Sequence, residues 1–259
     1  MREPTNRSRA GLEPSAPPPG LGLPIYTLRL GAVAGARPAA AAVAALVGAA
    51  VPSFSLTPCE GFFRGAADPG WAIMVAHADH GVIARLAEDL RCHFVQEGVG
   101  IEAHGRYLRC RADHGPALLA SELWGLASGF FPAYARTCFA VASVPDKWPD
   151  CFAIITAWAT TGERWTADRN RMADERLRQL LLGRNLPHAR ITGASPDGQH
   201  AEPGWWVETD REDAVQIGRA FLQDAVYWVE ADALSVHSCR DHRSAPVGPF
   251  AERVRTVPA

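Results

Sequence analysis

Three short strings occur twice in this chain, in the same order. Pro69-Gly70-Trp71 returns as Pro203-Gly204-Trp205, Phe94-Val95-Gln96-Glu97 as Phe221-Leu222-Gln223-Asp224, and Cys110-Arg111-Ala112-Asp113-His114 as Cys239-Arg240-Asp241-His242. Any one match is weak. Three in order point to a duplicated unit, and a duplicated unit has to close the same local topology in each copy.

The hydrophobic pattern around the strings supplies that topology. In the first copy Ile25–Leu30 reads as a strand, and Pro38 opens a helix with Val43, Leu46, Val47 and Ala50 on one stripe. Residues 53–64 resume strand character, interrupted at Pro58 and Gly61. Pro69-Gly70 is a turn signal before a short strand, Trp71–His77. Ile83, Leu86, Ala87, Leu90 and Phe94 then share one helical face, and Val99–Cys110 is a strand or hairpin around His104-Gly105. The second copy runs through a strand at Phe152–Trp158, a helix at Thr166–Arg184, strands at His188–Ala194 and Trp205–Thr209, a helix at Arg211–Gln223, and Val226–Cys239. Both read β-α-β-β-α-β.

The expectation is an α+β chain of two tandem ferredoxin-like units. Its parts are a flexible leader (1–24), repeat 1 (25–115), a linker helix (116–136), repeat 2 (137–243) and a C-terminal tail (244–259). Such a unit covers one sheet face with helices and leaves the other bare. The strands are apolar on both faces: Trp71, Ile73 and Val75 alternate with Ala72, Met74 and Ala76. Two repeats packed about a pseudo-twofold axis, or a homodimer through these sheet faces, would cover the second surfaces.

A formal net charge of −2 gives no electrostatic reason to expect nucleic acid or an anionic membrane as a partner. The longest apolar run, Ala39–Val51, is too short to span a bilayer. Six cysteines without a CxxC pair read as reduced thiols in a cytoplasm. Lys147 is the single lysine beside 25 arginines, a bias that suggests a GC-rich bacterial gene.

Phe152-Ala-Ile-Ile-Thr-Ala-Trp158, the Arg-rich helix with Asn170, Glu202-Pro203-Gly204 and Phe221-Leu-Gln-Asp-Ala-Val226 together resemble the bacterial family named domain of unknown function 3293, over roughly 133–240. In that family the Ile-Thr-Ala-Trp string is followed by Asn-Pro, whereas here Ala159-Thr160 stand there. The resemblance implies a ferredoxin-like fold and imports no activity. The first repeat is similar to another ferredoxin-like family at Phe62-Phe63-Arg64-Gly65.

No phosphate-binding GxxxxGK[ST], dinucleotide GxGxxG, HExxH or GxSxG string is present. The paired Gln96 and Gln223, each where a helix runs into a strand, are candidate ligand-binding amides, or else caps for their own helices. Thr156, Trp158 and Glu202, the last matched by Asp68, are the other ligand-binding candidates. Cys110, His114, Cys239 and His242 offer two thiols and two imidazoles, a set that suits zinc, or else two buried cysteines beside solvated turns. His77, Asp79 and His80 form a second polar group after a strand. Arginines from 164 to 190 are a phosphate-binding face or a salt-bridged helix surface with Asp174–Arg178 as a pair. Trp158 and Trp205 are either core residues or RNA-stacking platforms.

Two functions fit. One is a non-catalytic binding or regulatory module for a small molecule or a protein. The other is an enzyme with Gln223, Thr156, Trp158, Glu202 and Cys239 around a cavity between the repeats. Neither function points to a particular cofactor, ligand or partner.

Overall fold

A computed structural model of the chain describes residues 23–63, 65–160 and 162–257, and the chain divides into two compact units, Met1–Pro116 and Ala117–Ala259. The leader expected over 1–24 lies, up to residue 22, outside the described residues.

Tyr26, Leu28 and Leu30 are buried along β1 (Ile25–Leu30), while Ile25 and Arg29 are exposed. That period of two sets the first sheet. After β1 come α1 (Ala40–Ala50), β2 (Phe54–Phe63), β3 (Ala66–Ala76), α2 (His80–His93), β4 (Gly98–Ala103) and β5 (Arg106–Arg111), and the five strands lie in the order β2-β3-β1-β4-β5, all antiparallel. Val43 and Val47 of α1 and Ile83, Leu86 and Leu90 of α2 are buried with Ile73, Val75, Val99 and Ile101 of the sheet. Asp79 caps α2 by accepting the Gly81 and Val82 N–H groups. The opposite face does not repeat the apolar pattern expected of it. It presents Thr27, Arg29 and Glu102 among the exposed Ile25, Met74 (49% exposed) and Tyr107, so charged and apolar side chains are interleaved on that surface.

In the second unit α3 (Pro116–Ser128) and a 3-10 turn (Pro132–Ala135) precede β6 (Cys138–Val141) and β7 (Cys151–Thr156). Then follow α4 (Ala167–Gly183), β8 (His188–Ala194), β9 (Ala201–Val207), α5 (Arg211–Ala220), β10 (Ala225–Glu230), β11 (Ala233–Ser238), β12 (Ser244–Pro249) and β13 (Val254–Thr256). The sheet order is β12-β11-β10-β7-β9-β8-β6-β13. Its central run β11-β10-β7-β9-β8 matches β5-β4-β1-β3-β2 strand for strand.

Ala153, Ile155, Val207, Val226 and Trp228 point to one side with Leu177 and Leu181 of α4 and Ala214 and Ile217 of α5. Phe152, Ile154, Tyr227 and Val229 point to the other. That second face is closed from within the unit by Trp124 and Phe130, by Tyr134 and Trp148, and by Phe250. The Trp124 indole donates to the Pro246 carbonyl at 2.7 Å, and Tyr227 Oη donates to the Tyr134 carbonyl at 3.1 Å. Nothing outside this unit is needed to bury the face, contrary to the expectation. The segment expected as a linker helix, 116–136, supplies part of that cover. The expected tail, 244–259, adds β12 and β13, one on each edge of the sheet. Pro246 and Pro249 hide β12 from a sequence reading, yet an edge strand with a register shift tolerates them.

Pro69-Gly70 and Pro203-Gly204 lie inside β3 and β9 rather than in turns. Pairing with β1 begins only at Trp71, and pairing with β7 only at Gly204, so each proline stands where its missing N–H has no strand beside it. The glycines are required by close approach. A Cβ at Gly70 would fall 2.0 Å from the Leu30 carbonyl oxygen, and one at Gly204 would fall 2.8 Å from that of Ile155.

Candidate functional site

Each unit fastens the loop after its first strand to the end of its second helix with a glutamine. Both helices end in a left-handed residue, Val95 (φ 51) and Leu222 (φ 60). The next N–H turns back into the helix: that of Gln96 donates to Arg91 O at 2.8 Å, and that of Gln223 to Gly218 O at 2.9 Å. The turn delivers the two amides to the sheet. Gln223 Nε2 donates to the carbonyls of Trp158 (2.9 Å) and Phe221 (3.1 Å), and its Oε1 accepts from Thr156 Oγ1 at 2.9 Å. Both amide hydrogens and one oxygen lone pair are therefore spent inside the protein. Asn170, buried on α4, secures the same loop by accepting the Ala159 N–H at 3.1 Å. The structure thus brings Thr156, Trp158 and Gln223 together, as a bracket for backbone.

Gln96 spends its hydrogens in the same way, on the carbonyls of Ala32 (3.1 Å) and Phe94 (3.2 Å). The corner around it is built differently. Trp71 faces Leu30 and Trp205 faces Ile155 in the two registers, so Gly31 holds the place of Thr156. With no hydroxyl at that place, Gln96 lines an open cleft of about 480 Å³ with Gly31, Asp68, Gly98, Gly100 and Tyr107. Asp68 leans over Gly31, accepting the Ala32 N–H at 2.7 Å, and a Cβ on Gly31 would sit 2.6 Å from its Oδ2. One wall is a fixed ion pair, Arg29 donating through Nε (3.1 Å) and Nη2 (2.9 Å) to the two oxygens of Glu102. That hydrogen bond raises the Arg29 pKa. Glu60, Glu97 and Arg109 complete the polar rim.

Of the remaining sequence candidates, Glu202 and Cys110 have partners within their own units. Glu202 pairs with His200 at 2.9 Å. Cys110 is buried with its Sγ 3.5 Å from Glu88 Oε2, and burial, then Glu88, pushes its thiol up to about 12. Burial likewise pushes Cys239 up to about 11. A nucleophilic thiol calls for the opposite shift. His114 donates its backbone N–H to Arg111 O, and His242 is exposed. Among the described residues no three His, Cys, Asp or Glu side chains form a group that could hold a metal ion.

His80 donates to or accepts from Tyr26 Oη at 2.6 Å, and burial holds its imidazole below the usual pKa. His104, in the β4–β5 turn, acts on the same ring and was not legible from sequence spacing. Trp205 is no stacking platform: it is 8% exposed, donates to Asp174 Oδ1 at 3.0 Å and lies 3.7 Å beneath the Arg190 guanidinium. Asp174 pairs with Arg190, while Arg178 pairs with Glu175, replacing the expected Asp174–Arg178 bridge.

The sequence missed Gly31, Gly98 and Gly100, since only the strand register shows that Asp68, Arg109 and Tyr107 lie across them in the wall of the cleft. No helix of the described residues is long and apolar enough to cross a membrane. No curated protein and no solved structure matches the chain. Residues 155–226, which run from the end of β7 to the start of β10 and include the Thr156–Gln223 bracket, match the family model described as Protein of unknown function (DUF3293), and this stretch of the second unit is similar to that family.

Proposed function

We propose that the chain is a non-catalytic binding module of two ferredoxin-like units, and that a small polar molecule occupies the cleft beside Gln96 in the first. The shared strand order and the paired glutamine brackets support descent of both units from one β-α-β-β-α-β ancestor. One difference between them carries the functional reading. The corner that Thr156 and Gln223 close in the second unit is built without a hydroxyl in the first, where Asp68 stands over Gly31 and Gln96 borders about 480 Å³ of polar-walled space.

The enzyme alternative, with Gln223, Thr156, Trp158, Glu202 and Cys239 at its centre, has less support. The amide of Gln223 is consumed by backbone, and the Cys239 thiol is held protonated by burial. Six free cysteines fit a bacterial cytoplasmic setting.

The test is a fragment library of small polar compounds read by amide chemical shifts on the intact chain. Shifts should gather at Gly31 and Gln96–Gly100, and Gly100→Leu, which fills the floor beneath the movable Tyr107 ring, should remove them. Shifts gathered at the Thr156–Gln223 corner, or unaffected by Gly100→Leu, would refute the reading.

A further inference from the structure

We infer that the outer edge of β5 accepts an acidic peptide strand from a partner protein, added to the first sheet by backbone pairing. The hairpin turn between β4 and β5 has positive φ at both His104 (49°) and Gly105 (71°), the two-residue type that makes Ala103 and Arg106 a hydrogen-bonded pair. The alternation of antiparallel pairing then gives Leu108 and Cys110 to β4 as well. Tyr107, Arg109 and Arg111 therefore turn their N–H and C=O groups outward. One is already satisfied, since Arg111 O accepts the His114 N–H at 3.1 Å.

β5 ends the strand order, and no other strand pairs with it among the described residues. The second unit shows what such an edge takes. Leu234, Val236 and Ser238 hold the same places on β11. Leu234 and Val236 are paired by β12, and the Ser238 N–H donates to Arg243 O at 3.0 Å. The first unit has the same donor and acceptor row without a β12.

Charge selects the occupant. β5 reads Arg-Tyr-Leu-Arg-Cys-Arg, three arginines and no acid, with Arg106 and Arg111 exposed and Tyr107 60% exposed. Tyr107, Arg109 and Arg111 fall on one face, so acidic residues at alternate positions of an added strand would stand beside arginines. The other edge, β2, is interrupted by Pro58, whereas β5 keeps every N–H. Arginines on an edge also serve to repel added strands, and that role would disfavour every peptide alike.

The experiment titrates the full chain with a labelled, blocked peptide alternating Glu and Val, its Lys–Val analogue and a uridine-rich RNA oligonucleotide. Anisotropy reads affinity and hydrogen exchange reads the edge. The Glu–Val peptide should bind in a salt-sensitive way and slow exchange at Tyr107 and Arg109. Arg111→Glu, at an exposed position on the face that meets the acidic side chains, should weaken it about tenfold, whereas Arg106→Glu, on the opposite face, should change it less than about twofold. Equal binding of the Lys–Val peptide, tighter binding of the RNA, no change in β5 exchange, or indifference to Arg111→Glu would overturn the inference. Neither varied residue lines the cleft, so this result and the ligand reading stand or fall separately.

Discussion

Replacing Gln223 with leucine tests whether the amide is a structural bracket. Leucine keeps much of the volume and removes three hydrogen bonds, to Trp158 O, Phe221 O and from Thr156 Oγ1. At a net worth of about 0.5–1.5 kcal/mol each, the loss is about 3 kcal/mol. For a unit of this size that lowers Tm by about 6–12 °C. Gln96→Leu removes two such bonds and should cost about 2 kcal/mol. Urea unfolding by circular dichroism, with amide exchange assigning the loss to a unit, measures both. A double-mutant cycle with Thr156→Val should give a coupling of about 1 kcal/mol. If Gln223→Leu costs less than about 0.5 kcal/mol, or the cycle shows no coupling, the bracket is not structural and the amide is again a ligand candidate.

Acid should loosen the first unit through His80. Its folded pKa is lowered by burial, so the unfolded chain binds the proton more readily, and stability present above about pH 6.5 is lost as pH falls below it. The urea midpoint of first-unit amides should drop between about pH 7 and 5, and His80→Gln should flatten that slope. Cys110 and Cys239, buried and held as thiols, should resist iodoacetamide at pH 8 until urea unfolds the chain, which mass spectrometry of alkylated peptides will show. Gly70→Ala should destabilise by about 3 kcal/mol or more and Gly204→Ala by less, because the Cβ–oxygen overlap is deeper at Gly70; thermal melts rank the two.

Element order was legible because hydrophobic period survives in both copies: the α2 stripe from Ile83 to Leu90 and the β8 boundaries agree with the structure. The strand character of 244–249 was not, because prolines erase the alternation that an edge strand does not need. The Pro-Gly pairs misled for a related reason, since a glycine required by close approach looks the same in sequence as one required by a turn. Gln96 and Gln223 were visible through the repeat, but their roles depend on what stands across the sheet. A glycine at 31 and a threonine at 156 have no common pattern until register aligns them. The cover of the second sheet face was also hidden, because Trp124, Trp148 and Phe250 come from three distant segments.

The most direct measurement is a crystal structure of the intact chain soaked with the polar fragment that gives the largest chemical shifts. Density for that fragment bounded by Gln96, Gly98 and Gly100, with the Thr156–Gln223 hydrogen bond intact, is the predicted result. Density at the Thr156–Gln223 corner, with the first-unit cleft empty, would contradict the account.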